Sequence, residues 1–496
     1  MSPLDAPLDS AELRRLFFRV FPAAGLAMFG AALDQTVVAS ALPAIARSLG
    51  GVERISWVVV AYLVATTVAA PVYGRLGDAL GRGRMLLVAL GMYGFGAVLC
   101  ALAPSLDMLA LARMVQGFGG GGLISLSVAL IAEVVPARER GRFQAWIAAV
   151  FAAASALGPV AGGLLTEALG WRAVFLLQPP LSLAAAWLAV RRLGDAEPGD
   201  ARGFAFDWAG LLLFALFVGS ALLALDQARR LGTGSIAAAA GLAALAALAL
   251  LLWRQERRAR DPLLPLDLLG EPSIWRANLL TALVNGAFVG SIAFLPIYFV
   301  AVRGLSPSGA GFALLPLAVL AAVGAMAAGR MLARTGRIMA WPAAGLAAAA
   351  LLMAGVALGA GWMPVVAMAG LLGLVSVGLG TSFPMVQVAV QVAAGQARLG
   401  SATASVQFTR SLGAAVGTAL MGAVLFGALA AQGGEAAGLF VALVDGGPEA
   451  LSRLDEPARA AFRAEMVSAF RAAFLSAAAM MALAAWLCTR VPLQRL

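Results

Sequence analysis

The chain has 496 residues, 62% of them hydrophobic and only 12% charged, with a formal net charge of +10. A soluble domain is closer to half apolar. The excess here falls in runs of about twenty residues, each able to cross roughly 30 Å of hydrocarbon as a helix. Histidine is absent, and the two cysteines, Cys100 and Cys488, lie in separate apolar runs. That composition excludes a histidine proton relay, a histidine-ligated metal site and a disulfide framework. Every one of the 35 basic residues is arginine. Basic residues gather in the cytoplasmic loops of membrane proteins, so the charge is not read as a nucleic-acid surface.

The N-terminal segment 1–19 carries Asp5, Asp9 and Glu12 ahead of Arg14 and Arg15. This is not the pattern of a short cleaved signal, and the first apolar helix is expected to be retained. Fourteen membrane helices are expected, at about 20–42, 56–73, 85–103, 108–131, 143–165, 173–190, 208–225, 235–253, 278–300, 310–328, 339–359, 363–386, 401–428 and 468–488. The first holds Asp34 inside an apolar run, Leu33-Asp34-Gln35-Thr36-Val37-Val38. A carboxylate at that depth costs at least a few kcal/mol, so it reads as a functional group or as a charge paired for helix assembly.

The loop after the second helix reads Gly74-Arg75-Leu76-Gly77-Asp78-Ala79-Leu80-Gly81-Arg82. Its glycines permit a tight turn, and Asp78 can accept hydrogen bonds from loop donors or from a helix N-terminus. Arg113 is a second embedded charge, in the fourth helix. Counting 1.5 Å per residue puts Arg113 roughly 8 Å and Asp34 roughly 12 Å below the outer ends of their helices. The two either pair or leave Arg113 to reach the outer surface. In the fifth helix Pro159 removes a backbone hydrogen bond, while Gly158 and Gly162, four residues apart, share a face beside Gly163. Glu133 is expected to neighbour Arg138 and Arg140.

Between Arg254 and Ala277 lies the longest inner link, with Arg257-Arg258, Asp261-Pro262 and Leu264-Pro265. The thirteenth helix contains Arg410. No Asp or Glu occurs between Glu271 and Glu435, so the expected partners of Arg410 are amides such as Gln387 or Gln407. The longest outer segment is 429–467, in which Ala458–Val467 is expected to form a short amphipathic surface helix. Arginines number 23 on one side of these spans against 10 on the other, with two inside them. Both termini are therefore expected in the cytoplasm.

An internal repeat appears at an offset of 255 residues: Gly74–Arg82 falls on Gly329–Arg337, Gly158 on Gly413 and Gly162 on Gly417. Matches at one offset and at equivalent places in the helix order read as a duplicated bundle. The fold class expected is an all-α membrane protein. Its parts are a first six-helix bundle at 20–192, a linker with two extra helices at 193–277, a second six-helix bundle at 278–490 and a short tail at 491–496.

On these motifs the chain resembles the major facilitator superfamily, and within it the 14-helix drug:proton antiporters of the EmrB/QacA type. The residues that carry the resemblance are Leu33-Asp34-x-Thr36-Val37-Val38 with Ala41-Leu42-Pro43, Gly74-x-Leu76-x-Asp78 with Gly81-Arg82, Arg113-x-x-Gln116-Gly117 and Gly158-Pro159-x-x-Gly162-Gly163. Trp171-Arg172 with Phe175, and Phe206-Asp207-Trp208, also fit. The chain departs from the pattern at Ala39, Ala154 and Gln178.

The resemblance implies a major facilitator fold and proton-coupled multidrug efflux, with narrow export of a single compound as the alternative transport reading and a receptor or scaffold as the non-transport one. It implies proton coupling at Asp34 and Arg113 and a conformational latch at Gly74, Asp78, Gly81 and Arg82. It also implies an antiporter element at Gly158, Pro159, Gly162 and Gly163. Substrate-cavity candidates are Gln35, Tyr62, Gln116, Phe288, Tyr298 and Arg410. The expected partners are a small-molecule substrate, protons and the lipid bilayer of the cytoplasmic (inner) membrane. A periplasmic adaptor protein is a candidate partner for the outer segment. No metal, cofactor or nucleic acid is expected, and no nucleotide loop or nucleophile–base set marks an enzyme.

Overall fold

The computed structural model describes residues 10–50, 55–193, 204–231, 236–431 and 456–495. The described residues are helical almost throughout: α1 (Ser10–Leu49), α2 (Ser56–Leu80), α3 (Arg82–Leu102), α4 (Leu106–Val134), α5 (Ala137–Leu169), α6 (Arg172–Leu176), α7 (Gln178–Leu193), α8 (Trp208–Leu231) and α9 (Ile236–Arg258). They continue as α10 (Leu266–Leu269), α11 (Pro272–Ala301), α12 (Pro307–Thr335), α13 (Ala340–Gly359), α14 (Val365–Ala394), α15 (Leu399–Ala430) and α16 (Glu456–Arg490). Among the described residues, twelve helices are long and apolar enough to cross a membrane, α6 and α7 counting together as one. The expected central pair corresponds to α8 and α9. The side chains of residues 222–243 lie outside the described ones, and the described apolar stretch of that pair is Trp208–Ala221.

Several boundaries differ from expectation for local reasons. The expected sixth span breaks into α6 and α7 where Pro179 and Pro180 follow Gln178, because proline is suited to a helix's first turn and not to its interior. The separate surface helix expected at Ala458–Val467 is instead the N-terminal part of α16. No Gly or Pro interrupts residues 458–490, and Phe462, Met466, Phe470 and Phe474 continue one buried stripe at four-residue spacing. Most of the expected outer segment, residues 432–455, lies outside the described residues, as does the start of the N-terminal segment, 1–9.

The helices divide into two compact units, Met1–Trp275 with Val390–Phe408, and Arg276–Ala389 with Thr409–Leu496. In the first, α4 lies against α2 and α3, α1 lies against α4, α5 and α7, and α8 lies against α2 and α9. Glycines set the approach distances. A methyl on Gly121 of α4 would lie 2.9 Å from Thr66 Cα and from Ala69 Cβ of α2, and one on Gly119 would lie 2.7 Å from Tyr93 Cα of α3. Without a hydrophobic drive between helices in lipid, such small-residue contacts supply the packing. The outward side chains are apolar, Leu102, Leu164, Leu183 and Phe312 among them, as a hydrocarbon surround requires.

The 255-residue repeat has a structural counterpart in each half. Gly158 and Gly162 of α5 meet Thr36, Val37 and Ser40 of α1, and Gly413 and Gly417 of α15 meet Ala282 and Gly286 of α11. Gly81 and Gly336, also 255 apart, both turn the chain at positive φ, 98° and 63°, where a side chain would be strained. Gly121→Ala should therefore destabilise the first unit by about 1–3 kcal/mol through overpacking, read as a lower unfolding temperature in detergent. Gly163→Ala, whose methyl meets nothing within 4 Å, should leave it unchanged.

Candidate functional site

The site is built on α1, α2 and α4 of the first unit. Asp34 is 0% exposed and Arg113 is 1% exposed. Arg113 Nη1 donates to Asp34 Oδ2 at 2.7 Å and to Gln116 Oε1 at 2.8 Å, and Gln116 Nε2 donates to Asp34 Oδ1 at 3.0 Å. Arginine three residues before glutamine on one helix face lets both reach the same carboxylate. The guanidinium also donates from Nε to Val58 O at 3.2 Å and sits 4.1 Å from the centre of the Tyr62 ring. Cys100 Sγ donates to Gln116 Oε1 at 3.4 Å, and Phe175 closes the arginine's other flank at 5.8 Å. Both oxygens of Asp34 are thus committed to donors, and the pair is sealed from the exterior. Arg113 does not reach the outer surface.

The second cluster lies at the end of α2. Arg82 Nη2 donates to Asp78 Oδ1 at 2.7 Å, and its Nη1 donates to Glu133 Oε2 at 2.8 Å. Asp78 also accepts from Gly400 N, Ser401 N and Ser401 Oγ, each at 2.8 Å. Gly400 and Ser401 open α15, so Asp78 caps a helix N-terminus, where backbone donors and dipole both favour an anion. Arg82 Nη2 reaches Gln396 O at 3.1 Å. Gly74 permits the approach, because a methyl there would lie 2.7 Å from Gly400 O and from Ala404 Cβ. All these groups belong to the first unit, which takes in residues 390–408.

Four of the candidates from the sequence, Asp34, Tyr62, Arg113 and Gln116, come together in one buried cluster. Gly74, Asp78 and Arg82 form the other, with Gly81 making the turn. Gly158 and Gly162 contact α1 beside Thr36, whose hydroxyl donates to Leu33 O at 3.0 Å and Ala154 O at 3.3 Å. Pro159 and Gly163 point away from that contact. Gln35 is exposed, outside the Asp34 cluster. In the second unit Phe288 stacks edge-on with Phe383 at 6.0 Å, and Arg410 lies 5.7 Å from the Phe383 ring centre with its Nε unpartnered. Tyr298 packs in an aromatic cluster with Phe299, Phe470 and Phe474, and its hydroxyl donates to Ala360 O.

Sequence reading missed Glu133 as a partner of Arg82. Arg140, expected beside Glu133, instead caps the end of α4 by donating to Val135 O at 2.9 Å and Ala132 O at 2.6 Å. Sequence reading also took Gly74–Arg82 for a loop, whereas α2 runs helically to Leu80 and only Gly81 turns the chain, and it missed that Arg75 in that last stretch of α2 pairs with Asp261 at 2.8 Å. Neighbours in sequence signalled neither. Among the described residues no group of three or more His, Cys, Asp or Glu side chains is placed to hold a metal.

An all-helical bundle with an ion pair sealed in one half and a charge cluster at a helix N-terminus defines a multi-pass membrane protein of the facilitator type. The chain belongs to the Major Facilitator Superfamily, which it matches over residues 24–418. An uncharacterized MFS-type transporter of Mycobacterium tuberculosis is 35% identical over 422 residues, covering 84% of this chain, which in turn spans 60% of that relative's length. A multidrug transporter protein of Bacillus subtilis, MdtP, is 28% identical over 81% of this chain and 74% of its own. The crystal structure of the human organic anion transporter MFSD10 shares the fold, with a TM-score of 0.65 at 16% identity over 95% of this chain and 99% of that one.

Truncating one member of a buried ion pair strands the other. Arg113→Ala should lower unfolding stability in detergent by about 3–5 kcal/mol, and adding Asp34→Asn to it should recover part of that loss. Asp78→Asn should weaken the cap by about 1–2 kcal/mol, read as faster amide hydrogen exchange at residues 399–402 at constant pH.

Proposed function

We propose that the protein is a proton-coupled efflux antiporter of the 14-helix class in the cytoplasmic (inner) membrane, with both termini cytoplasmic. It exports amphipathic compounds, cationic or aromatic, by alternating access. The observation that carries this reading is the sealed Asp34–Arg113–Gln116 cluster. Intramembrane ionisable groups are costly and mark ion or substrate pathways. Each Asp34 oxygen already accepts a donor and the carboxylate is fully buried, so a proton or a cationic substrate that reaches it competes with Arg113 and Gln116.

Protonation of Asp34 cancels the charge that holds Arg113. The guanidinium is left with neutral partners alone, Gln116 Oε1, Val58 O and the Tyr62 ring, an arrangement in which a buried cation lacks its counter-ion. The protonated site therefore favours a different arrangement of α1 and α4 from the ionised one. A proton and a cation that compete for one carboxylate are exchanged rather than carried together, and their binding energies are linked reciprocally. Asp78 and Arg82, with Glu133, act as the latch that stabilises one arrangement. Gly158 and Gly162 give α1 and α5 the close contact across which the helices change angle. The name of the Bacillus subtilis relative supports a multidrug substrate range. The absence of a nucleotide loop in the sequence leaves an ion gradient as the energy source.

In vesicles carrying the full chain, an imposed pH gradient should drive efflux of a lipophilic cationic dye, and a protonophore should abolish it. Asp34→Asn should reduce gradient-driven efflux by about tenfold or more while downhill equilibration of the dye persists. Undiminished gradient-driven efflux in that variant would remove Asp34 from the coupling step.

A further inference from the structure

A second pair of carboxylates lies at the base of the α8–α9 hairpin, in the first unit. Asp207 precedes α8, and its Oδ1 accepts from Gly210 N at 2.8 Å and from Gln255 Nε2 at 2.9 Å. Glu256, near the end of α9 and beyond the 235–253 span, is 3% exposed, and its Oε2 accepts from Leu264 N at 2.8 Å. The remaining oxygens, Asp207 Oδ2 and Glu256 Oε1, are both buried without a donor. They face one point: a methyl on Gly210 would lie 2.9 Å from Glu256 Oε1 and closer still to Asp207 Oδ2. Two acceptor-only oxygens in one dry space repel each other, and a shared proton resolves the conflict.

We infer that Asp207 and Glu256 form a second proton-binding site, a carboxyl–carboxylate pair in which Glu256 Oε1 carries the proton and donates it to Asp207 Oδ2. Asp207 is the place given to the charge, because its Oδ1 takes two donors, Gly210 N and Gln255 Nε2. Burial pushes the Glu256 carboxyl up to about 7. The Leu264 and Leu263 N–H groups and Arg75 oppose that rise, and the Asp207 charge adds to it.

The charged group facing the pair from α2 is Arg75, which is held by Asp261 at 2.8 Å. Asp261 Oδ2 also accepts from Ala205 N at 3.1 Å. Arg75 lies three residues before Asp78 on α2, so the ion pair at the hairpin base and the latch carboxylate sit one helical turn apart. Folding raises the Glu256 pKa, so its contribution to packing is full below the ordinary carboxylate value and is lost as pH rises through about 7. Above that, two carboxylates occupy the dry space, Arg75 is drawn from Asp261 toward them, and the hairpin base loosens from the end of α2. The device is a pH-sensitive fastening next to the latch, separate from Asp34.

The test uses the full chain in lipid nanodiscs, titrated by infrared spectroscopy. A protonated-carboxyl stretch should disappear as pH rises through about 7. It should be missing in Glu256→Gln, should titrate about one unit lower in Asp207→Asn, and should persist in Asp34→Asn. The last variant separates this site from the coupling carboxylate, so either reading can fail alone. Hydrogen exchange supplies the second measurement. Corrected for its intrinsic pH dependence, exchange at residues 204–210 should rise roughly tenfold above neutral pH in the wild type. It should stay flat in Glu256→Gln, whose amide donates to Asp207 as the protonated acid does. A titrating band unchanged in Glu256→Gln, or the same exchange increase in that variant, would overturn the proposal.

Discussion

A charge inside a helical bundle must find its counter-charge and its hydrogen bonds inside the same bundle, because neither water nor lipid will supply them. The Asp34–Arg113 pair is the plainest case. Its members come from α1 and α4, so the pair requires those helices at one separation and in one register. Gln116, one turn along α4, fills the second oxygen. Tyr62 packs its ring on the guanidinium and brings α2 into the same constraint. Three helices are therefore positioned by a single carboxylate, and the glycines of α4 allow the approach that the pair demands. A buried ion pair is weak evidence for stability, since apolar residues of the same volume do as well. Its value lies in what it specifies and in what releasing it would cost.

The second cluster works differently. Asp78 pairs with Arg82 and also caps the first turn of α15 through two backbone donors and a hydroxyl. Such a contact is charge-assisted, but it forms at a helix end where water is at hand once it opens. Breaking it is less costly than breaking the sealed pair. A latch needs that property, because a contact that holds one arrangement must also let go. The duplicated loop has Ala333 in the Asp78 position and makes a different contact: Ile338 N donates to Gln494 O at 3.0 Å, tying the loop to the C-terminal tail. The repeat preserved the turn glycines and the helix contacts and left the carboxylate to one half.

What could be read from the sequence follows from what kinds of signal a sequence carries. Asp34 and Arg113 stood out because charges in apolar runs are expensive. Gly158, Gly162, Gly81 and Gly336 stood out because their spacing and repeat reflect backbone geometry. The helix order followed from apolar run length, and α16 was misjudged only where a polar stretch hid a continuous buried stripe of Phe462, Met466 and Phe470. The partners were harder to read. Glu133 is 51 residues from Arg82, and Ser401 is 323 from Asp78. No local pattern encodes such a meeting. The hydroxyl of Tyr298 meets the carbonyl of Ala360, 62 residues away, and a tyrosine in a span carries no mark of such a partner. Asp207 drew notice only for its motif between Phe206 and Trp208, and Glu256 for nothing, because they are 49 residues apart and only the fold of the hairpin brings both beside Gly210.

The two charge clusters are joined by one element. Helix α4 carries Arg113 and Gln116 toward one end and Glu133 at the other, twenty residues on and roughly 30 Å away along the axis. It has no proline, and its middle, from Gly119 to Ala132, is buried throughout; α4 packs against α2, α3 and α1. A helix so enclosed moves as a body or not at all, since cores repack between discrete arrangements rather than deform continuously. Any displacement of α4 that frees Arg113 from Asp34 also moves Glu133 relative to Arg82, and through Arg82 it disturbs Asp78 at the start of α15. Conversely, the Arg82–Glu133 contact ties that end of α4 to α3 while the ion pair is satisfied. On the proposed function, protonation at Asp34 and release of the latch are then two consequences of one helix position. The coupling needs no chain of intermediate side chains across the bundle.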